Sequence, residues 1–248
     1  MSVLKADEIK EHFKDEKFSL KDLYNYYCKF EPDLKETTFR WRVYQLKNAG
    51  VIRNISRGIY EVGVERLFNP KINKNIKRIS RKIKKEFPYT NFAIWDTSWL
   101  SNYMIHQPLT NNIILEVESA SLGAVFDVIY SIEKNVLLDP NKLEIERYML
   151  KGESNIILKT LTAEAPIAKK DGLTIPKIEK ILVDLFTYKD LYIMYQGKEK
   201  VNIFENVYNE FTINNSTLKR YAVKRGVYEE IYNFIKFNTN IELEKKGE

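Results

Sequence analysis

Residues 35–62 read KETTFRWRVYQLKNAGVIRNISRGIYEV, and they decide the fold of the N-terminal part of the chain. Apolar residues in this stretch recur at steps of four and three, which places them along one face of a helix. These residues are Phe39, Val43 and Leu46. Thr37 or Thr38 is suited to cap the start of the helix, and Gly50 stands where a helix would end. The spacing therefore predicts a helix between these points.

The opposite face of the predicted helix combines two cations, two aromatic rings and an amide. It consists of Arg40, Trp41, Tyr44, Lys47 and Asn48. A single helix fits the DNA major groove, and side chains of these types reach phosphates and base edges. The pattern favours a recognition helix. A solvated outer face on an ordinary packed helix is the alternative.

A β-hairpin is expected directly after this helix, with a Ser-Arg-Gly turn at residues 56–58. The turn would place Arg57 at the tip and Arg53 on the first strand, where a wing touches the sugar-phosphate backbone. Apolar residues stand side by side at 51–52 and again at 59–60, so the alternation expected of strands is imperfect. The hairpin prediction therefore depends more on the turn than on the strands.

Charge is unevenly distributed along the 248 residues, whose net charge is +6. Residues 1–90 carry 21 Lys and Arg against 12 Asp and Glu, a net charge of +9, whereas the other 158 carry 19 against 22. Within residues 35–85 there are 15 basic and 3 acidic residues. This asymmetry indicates a polyanionic partner such as nucleic acid, although an acidic substrate or a membrane surface would also fit.

Two helices are predicted ahead of the recognition helix, over residues 2–14 and 19–30. Ser19 and Asp22 have the spacing of a capping box at the start of the second helix. The resulting order is helix, helix, turn, helix, hairpin, which is the winged variant of the helix-turn-helix. We therefore expect residues 1–66 to form a winged helix-turn-helix domain that binds DNA.

Residues 67–87 are expected to connect the domains through a basic amphipathic helix. Its isoleucines step by four and three, and cations fill the positions between them. Five of these cations are predicted to extend the DNA-facing surface: Lys77, Arg78, Arg81, Lys82 and Lys85. The alternatives are a docked helix with a solvated outer face and a helix lying on a membrane surface.

Residues 88–248 alternate between strand and helix patterns and are expected to form a mixed α/β domain that ends in helices. Strands are predicted at 91–95, 112–117, 136–138, 145–150 and 155–160. Helices are predicted at 97–104, 121–133 and 176–186, followed by three short helices between 199 and 238. The complete chain is thus expected to belong to the α+β class.

Sequence signatures of enzymes are absent: the chain has no phosphate-binding glycine loop, no GxSxG and no HExxH. One cysteine, Cys28, and two histidines are too few for a zinc site or an internal disulfide. No apolar stretch is long enough to span a membrane, and no secretory signal stands at the N-terminus. We expect a cytoplasmic protein without a cofactor, a catalytic residue or a metal site.

Three carboxylates offer one enzymatic alternative. Asp96 follows a predicted strand, and Glu116 and Glu118 lie at the end of the next one. Carboxylates at adjacent strand ends hold Mg²⁺ in nucleases and nucleotidyltransferases. A lysine that a nuclease core would have just beyond the second acid is missing here.

A different alternative is a non-enzymatic adaptor that docks onto a partner protein through its C-terminal helices.

Two segments carry a resemblance to a known family. One is the predicted wing and the helix end before it, with Leu46, Gly50, Ile52, Arg57, Gly58 and Tyr60. The other is PKIEKILVDLF, with Pro176, Glu179, Lys180, Leu182, Asp184 and Leu185. In these residues and their order the chain resembles the AbiEi family of bacterial antitoxins, the regulatory half of type IV toxin–antitoxin modules of abortive infection.

The resemblance implies a transcriptional autorepressor that binds inverted repeats in its own promoter. It also implies a separately encoded nucleotidyltransferase-like toxin as the partner of the C-terminal domain. Combined with the residue patterns, it yields one set of expected DNA contacts. That set is Thr37, Thr38, Arg40, Trp41, Tyr44, Lys47, Asn48, Arg53, Arg57, Lys77, Arg78, Arg81, Lys82 and Lys85.

Overall fold

A computed structural model describes residues 4–56, 58–64, 66–149 and 152–241. The protein is a mixed α+β protein with three separate sheets in its described part, which confirms the predicted class. It forms two compact units, Met1–Phe68 with Glu210–Leu218, and Asn69–Asn209 with Lys219–Glu248. The first unit therefore includes Glu210–Leu218, a segment that the sequence pattern assigned to the three C-terminal helices.

The first unit contains three helices and three short strands. The elements are α1 (Ala6–His12), β1 (Phe18–Ser19), α2 (Leu20–Cys28), α3 (Glu36–Asn48), β2 (Ile52–Ser56) and β3 (Ile59–Val62). The strands form one antiparallel sheet in the order β1-β3-β2. Its core takes side chains from every one of these elements, and it includes Ile9, Phe18, Leu23, Phe39, Leu46, Ile52 and Tyr60.

Local signals fix the ends of α2 and α3. The predicted capping box is confirmed, because the Ser19 hydroxyl accepts the Asp22 amide and the Asp22 carboxylate accepts the Ser19 amide. The predicted threonine cap of α3 is wrong: Lys35 is the N-cap residue and makes no side-chain capping bond. Thr37 and Thr38 instead lie inside the first turn, because the helix starts at Glu36.

Gly50 ends the third helix as expected. Its φ of +66° lies in the left-handed region, where a side chain would be strained. The Gly50 amide donates to the Lys47 carbonyl, and the Val51 amide donates to the Leu46 carbonyl. A Cβ at this position would also lie 3.1 Å from Val64. Glycine is therefore required for the chain to turn from α3 into β2.

The predicted hairpin forms between β2 and β3, and it contains an irregularity. Asn54 pairs with Tyr60 and Ser56 pairs with Ile59, so one extra residue, Ile55, stands in β2. Beyond the strand, Gly58 has a φ of +80°. Arg57, the predicted tip of the hairpin, lies outside the described residues. The adjacent apolar residues at 51–52 lie outside this bulge: Val51 precedes β2, and both Val51 and Ile52 are buried.

The second unit is built on a four-stranded mixed sheet. Its strands are β4 (Phe92–Asp96), β5 (Ile113–Val117), β6 (Val136–Leu138) and β7 (Ile156–Thr160), in the order β4-β5-β7-β6. β4 is antiparallel to β5, whereas β5 and β6 both run parallel to β7. Every residue of β4 and β5 is buried, so the centre of this unit lies at these two strands.

α-Helices precede, separate and follow these strands along the chain. They are α4 (Lys74–Glu86), α5 (Leu122–Tyr130), α6 (Lys142–Met149), α7 (Ile178–Thr187), α8 (Lys198–Glu210), α9 (Asn215–Lys224) and α10 (Tyr228–Asn238). Short 3₁₀ helices occupy Thr97–Tyr103, Ser119–Ser121 and Ile193–Tyr195. The three helices predicted for the tail are confirmed. No helix in the described part of the chain is long and apolar enough to cross a membrane.

Two predictions for the second unit are wrong. Residues 145–149 lie in α6 and not in a strand, because Asn141 and Glu144 exchange backbone and side-chain hydrogen bonds that start a helix. Pro176 ends a strand and does not start α7, which begins at Ile178. That strand belongs to an unpredicted hairpin of β8 (Ile167–Lys170) and β9 (Leu173–Pro176). The Asp171-Gly172 turn of this hairpin has positive φ at both residues.

Candidate nucleic-acid interface

The two faces of α3 differ as the spacing predicted. Phe39, Val43 and Leu46 are buried, with exposed fractions of 5%, 8% and 0%. All five residues predicted on the opposite face are exposed: Arg40, Trp41, Tyr44, Lys47 and Asn48. Trp41 and Tyr44 are 51% and 60% exposed, which leaves their rings available to a partner.

The cations on this face are held only weakly. Arg40 forms an ion pair at 2.5 Å with Glu36, one helical turn earlier. Both side chains are more than 70% exposed, so this pair adds little stability and is easily exchanged for a phosphate. Among the described residues, Lys47 forms no ion pair. Thr37 is exposed and Thr38 half-buried at the start of the same helix.

A third cation of α3 has a different role, which sequence reasoning missed. Arg42 is 6% exposed, donates to Glu31 at 2.7 Å and lies 4.9 Å from the centre of the Tyr27 ring. Burial raises the pKa of the Tyr27 hydroxyl to about 12. Arg42 is therefore a cation of the core and does not face solvent. Its spacing, three residues after Phe39 and four before Leu46, places it on the buried face of α3, and this signal was overlooked because the residue is charged.

Arg53 lies on the strand predicted for it, β2, but its guanidinium already has hydrogen-bond and ion-pair partners. Its guanidinium forms an ion pair at 2.5 Å with Glu61 on the neighbouring strand and donates to the Thr212 hydroxyl at 3.0 Å. About a quarter of the side chain is exposed. A contact of Arg53 with DNA would therefore compete with these partners. The other predicted wing cation, Arg57, lies outside the described residues.

The basic helix α4 has the predicted amphipathic arrangement. Ile76, Ile79 and Ile83 are fully buried. Two of the cations have acidic partners, since Arg78 pairs with Glu133 and Lys82 with Glu86. Three others form no ion pair with any described residue: Lys77, Arg81 and Lys85. α3 belongs to the first unit and α4 to the second, so one surface that joins both helices remains a prediction.

The carboxylates of the metal-dependent alternative are not brought together. Asp96 pairs with Ile113 in the β4–β5 register, whereas Glu116 lies three residues further along β5 and pairs with Ala93. Three residues along a strand span about 10 Å and reverse the face of the sheet. Glu118 instead accepts from Asn91. Among the described residues, no group of three potential ligands is placed to hold a metal ion.

Glu116 belongs instead to a buried cluster of charges in the second unit. Lys180 on α7 donates to Glu116 and to Asp184, and Arg225, just after α9, lies 3.6 Å from Asp184. The Tyr221 hydroxyl donates to the Asp184 carboxylate at 3.2 Å. Lys180, Glu116 and Asp184 expose 2% of their side chains or less. Two acids and two bases therefore neutralise each other inside the unit.

The electrostatics of this cluster favour a charged Lys180. Burial alone lowers the pKa of its ammonium group, but the attraction of Asp184 and Glu116 outweighs it, and the net pKa is raised. Burial raises the pKa of Glu116, whose second carboxylate oxygen accepts no hydrogen bond within the described residues. The sequence placed Lys180 and Asp184 one turn apart on one helix but gave no indication of Glu116 as their partner.

Comparison with models of known protein families gives a match. The model of a family described as "Family of unknown function (DUF6577)" matches residues 38–241, which is most of the chain. The match begins inside α3 and ends at the last described residue. No curated protein matches the chain.

Proposed function

We propose that this chain, which belongs to the DUF6577 family, is a DNA-binding transcriptional regulator without catalytic activity of its own. The observation that carries the proposal is the outer face of α3. It exposes two cations, two large aromatic rings and an amide, while the opposite face is fixed in a core. Side chains of these kinds on a rigid helix match the groups displayed in the DNA major groove.

The order and pairing of elements in the first unit support a winged helix-turn-helix. The unit runs helix, strand, helix, helix, strand, strand, and β1 pairs with β3 at the edge opposite β2. In such domains the third helix enters the major groove and the hairpin contacts the backbone beside it. We therefore assign α3 as the recognition helix and β2–β3 as the wing.

Three exposed residues of α3 have assigned roles in this mechanism. Arg40 exchanges its ion pair with Glu36 for a phosphate or a guanine edge, and Asn48 offers an amide to a base. Lys47, which has no acidic partner in the described part, contacts phosphate. Phosphate contacts release counterions, so affinity should fall steeply as salt rises, with a slope of about −0.9 per contact on logarithmic axes.

We further propose an antitoxin role, which is supported by the resemblance to the AbiEi family. The chain would repress its own operon and counteract a nucleotidyltransferase-like toxin encoded beside it. The second segment of that resemblance includes Lys180 and Asp184, which belong to the buried cluster on α7. The test is co-expression with the neighbouring reading frame: relief of its toxicity supports the role, and unchanged toxicity contradicts it.

DNA binding is tested by titrating the purified chain into a fluorescent duplex of the region upstream of its own reading frame. An unrelated duplex of equal length serves as the control. The proposal expects tighter binding to the upstream duplex. Equal affinity for both duplexes would support only non-specific binding, with dissociation constants of about 10⁻⁴ to 10⁻⁶ M, and would favour the adaptor alternative.

A further inference from the structure

The outer face of α4, in the second unit, carries a line of cations. Four basic residues fall within about 80° of one another around the helix axis, on the side opposite the buried Ile76, Ile79 and Ile83. Three of the four are exposed and the second is half-buried. We call them the cation stripe: Lys74, Lys77, Arg81 and Lys85.

The cation stripe has no acidic partner within the part of the chain that the structure describes. The helix contains no acid before Glu86, and the cations that do form ion pairs lie outside the stripe. Arg78 pairs with Glu133, and Lys82 pairs with Glu86. The unpaired set therefore differs from the set that the sequence suggested, because Lys74 joins it and Arg78 and Lys82 leave it.

The cation stripe does not stabilise the helix that carries it. Lys74 stands in the first turn, where a cation opposes the helix dipole, and this turn contains no acid to offset it. Like charges four residues apart also repel each other, as Lys77 and Arg81 do, and Arg81 and Lys85. A bound polyanion would relieve both effects.

The helix holds the cation stripe in a fixed, straight line. The Asn73 side chain caps α4 by accepting the Ile76 amide at 2.8 Å, and it donates to the Asp96 carboxylate at the end of β4 at 2.7 Å. From Lys74 to Lys85 the stripe extends about 16 Å along the helix axis. One strand of B-DNA carries about five phosphates over this length.

These properties favour the backbone of duplex DNA over other polyanions. A duplex is stiff on the scale of the stripe, so neither partner loses much conformational freedom on binding. Single strands are held largely by stacking on aromatic rings, and the stripe contains none. A helix on a membrane surface inserts its apolar face, whereas Ile76, Ile79 and Ile83 are fully buried inside the protein.

We propose that the cation stripe is an additional surface for duplex DNA, which binds phosphates without reading the sequence. The inference goes beyond recognition by α3 and does not depend on it, because every residue that carries it belongs to the second unit. The stripe should therefore add the same affinity for every duplex.

The test is fluorescence anisotropy of the full chain with an unrelated duplex and with the upstream duplex, at about 50 to 200 mM salt. The stripe variant replaces all four cations by glutamine, which retains a long side chain that is compatible with a helix. The changes are Lys74→Gln, Lys77→Gln, Arg81→Gln and Lys85→Gln.

Two further variants serve as controls. The first replaces one exposed cation on each of four other helices of the second unit, with the same net change of charge. Its changes are Lys142→Gln, Lys198→Gln, Arg220→Gln and Lys236→Gln. The second retains the charge of the stripe through Lys74→Arg, Lys77→Arg and Lys85→Arg. Circular dichroism checks that all variants retain their helices.

The stripe variant should bind the unrelated duplex about tenfold more weakly at the lowest salt concentration, and its salt dependence should become shallower by about 0.9 for each lost contact on logarithmic axes. Both controls should bind almost as the unmodified protein does. The ratio of affinities for the two duplexes should not change in the stripe variant. Failure of recognition by α3 would instead abolish that ratio in the unmodified protein and leave the effect of the stripe.

Equal affinities of the stripe variant and the first control would overturn the proposal. Tighter binding of the unmodified protein to a single strand of the same length, lost in the stripe variant, would overturn the assignment to duplex DNA. Vesicles that contain phosphatidylserine provide the membrane comparison. Loss of vesicle binding in the stripe variant with unchanged DNA binding would overturn the proposal as well.

Discussion

The Nζ atom of Lys180 lies 2.5 Å from the Oε2 atom of Glu116, although 64 positions separate the two residues in the chain. Lys180 exposes 0% and Glu116 1% of the side chain. This contact ties α7 directly to the central strand β5. A buried lysine of this kind is held by its acidic partners, so the loss of one member leaves the others charged and unpaired.

Replacement of Lys180 by methionine should destabilise the second unit strongly. The substitution keeps the volume but leaves the carboxylates of Glu116 and Asp184 without their shared cation, at an expected cost of about 3–5 kcal/mol. Urea unfolding followed by circular dichroism measures this cost. Lys82→Ala removes a cation from an exposed ion pair and should change the free energy of unfolding by only about 0–1 kcal/mol. Equal effects of the two substitutions would show that the cluster does not stabilise the fold.

Alkaline pH should weaken the fold through its buried tyrosines. Burial raises the pKa of Tyr27, Tyr195 and Tyr221 from 10.0 to about 12. The folded state therefore retains protons that the unfolded state loses, so the stability contributed by these groups is complete below pH 10 and declines as the pH rises toward 12. Urea midpoints measured across this range should fall. Midpoints that stay constant through it would contradict the assigned burial.

Arg42 and Arg40 stand two residues apart on α3 and should respond differently to substitution. Arg42→Ala removes a buried partner of Glu31 and should lower the stability of the first unit by about 1–3 kcal/mol. Arg40→Ala, at an exposed position, should leave stability within about 0.5 kcal/mol. Thermal unfolding of both variants measures the difference. A stable Arg42→Ala protein would mean that this arginine is not a residue of the core.

The fluorescence of Trp41 should report contact with DNA. The chain has three tryptophans, and Trp95 and Trp99 are 1% and 8% exposed, whereas Trp41 is 51% exposed. A solvent quencher should therefore act mainly on Trp41, and duplex DNA should protect it. Trp41→Phe should abolish the quenchable signal. If DNA binds without any change in quenching, Trp41 lies outside the interface.

Periodicity was sufficient to predict α3, because one face of this helix is buried and the opposite face is exposed. It failed at residues 145–149, where a short apolar run favours a strand although Asn141 and Glu144 have the spacing of a capping box. It failed again at the hairpin of β8 and β9, although the Asp-Gly turn there is a strong local signal. Both errors concern local sequence signals, a capping box and a tight turn, that the periodicity of apolar residues does not show.

Other features could not have been predicted from local patterns. The charges around Lys180 come from several elements, and its pairing with Glu116 depends on how α7 packs against β5. This pairing is a product of tertiary packing, which a single sequence does not reveal.

The affinity of an Arg40→Ala, Lys47→Ala double variant for the upstream duplex tests DNA recognition by α3 most directly. Lys10→Ala with Lys14→Ala removes the same charge from other exposed positions of the first unit and is the matched control. Fluorescence anisotropy should show binding by the α3 variant weakened by about 1–3 kcal/mol for each base interaction that the substitutions remove, with little change for the control. Equal affinities for the α3 variant, the control and the unmodified protein would contradict recognition through this helix.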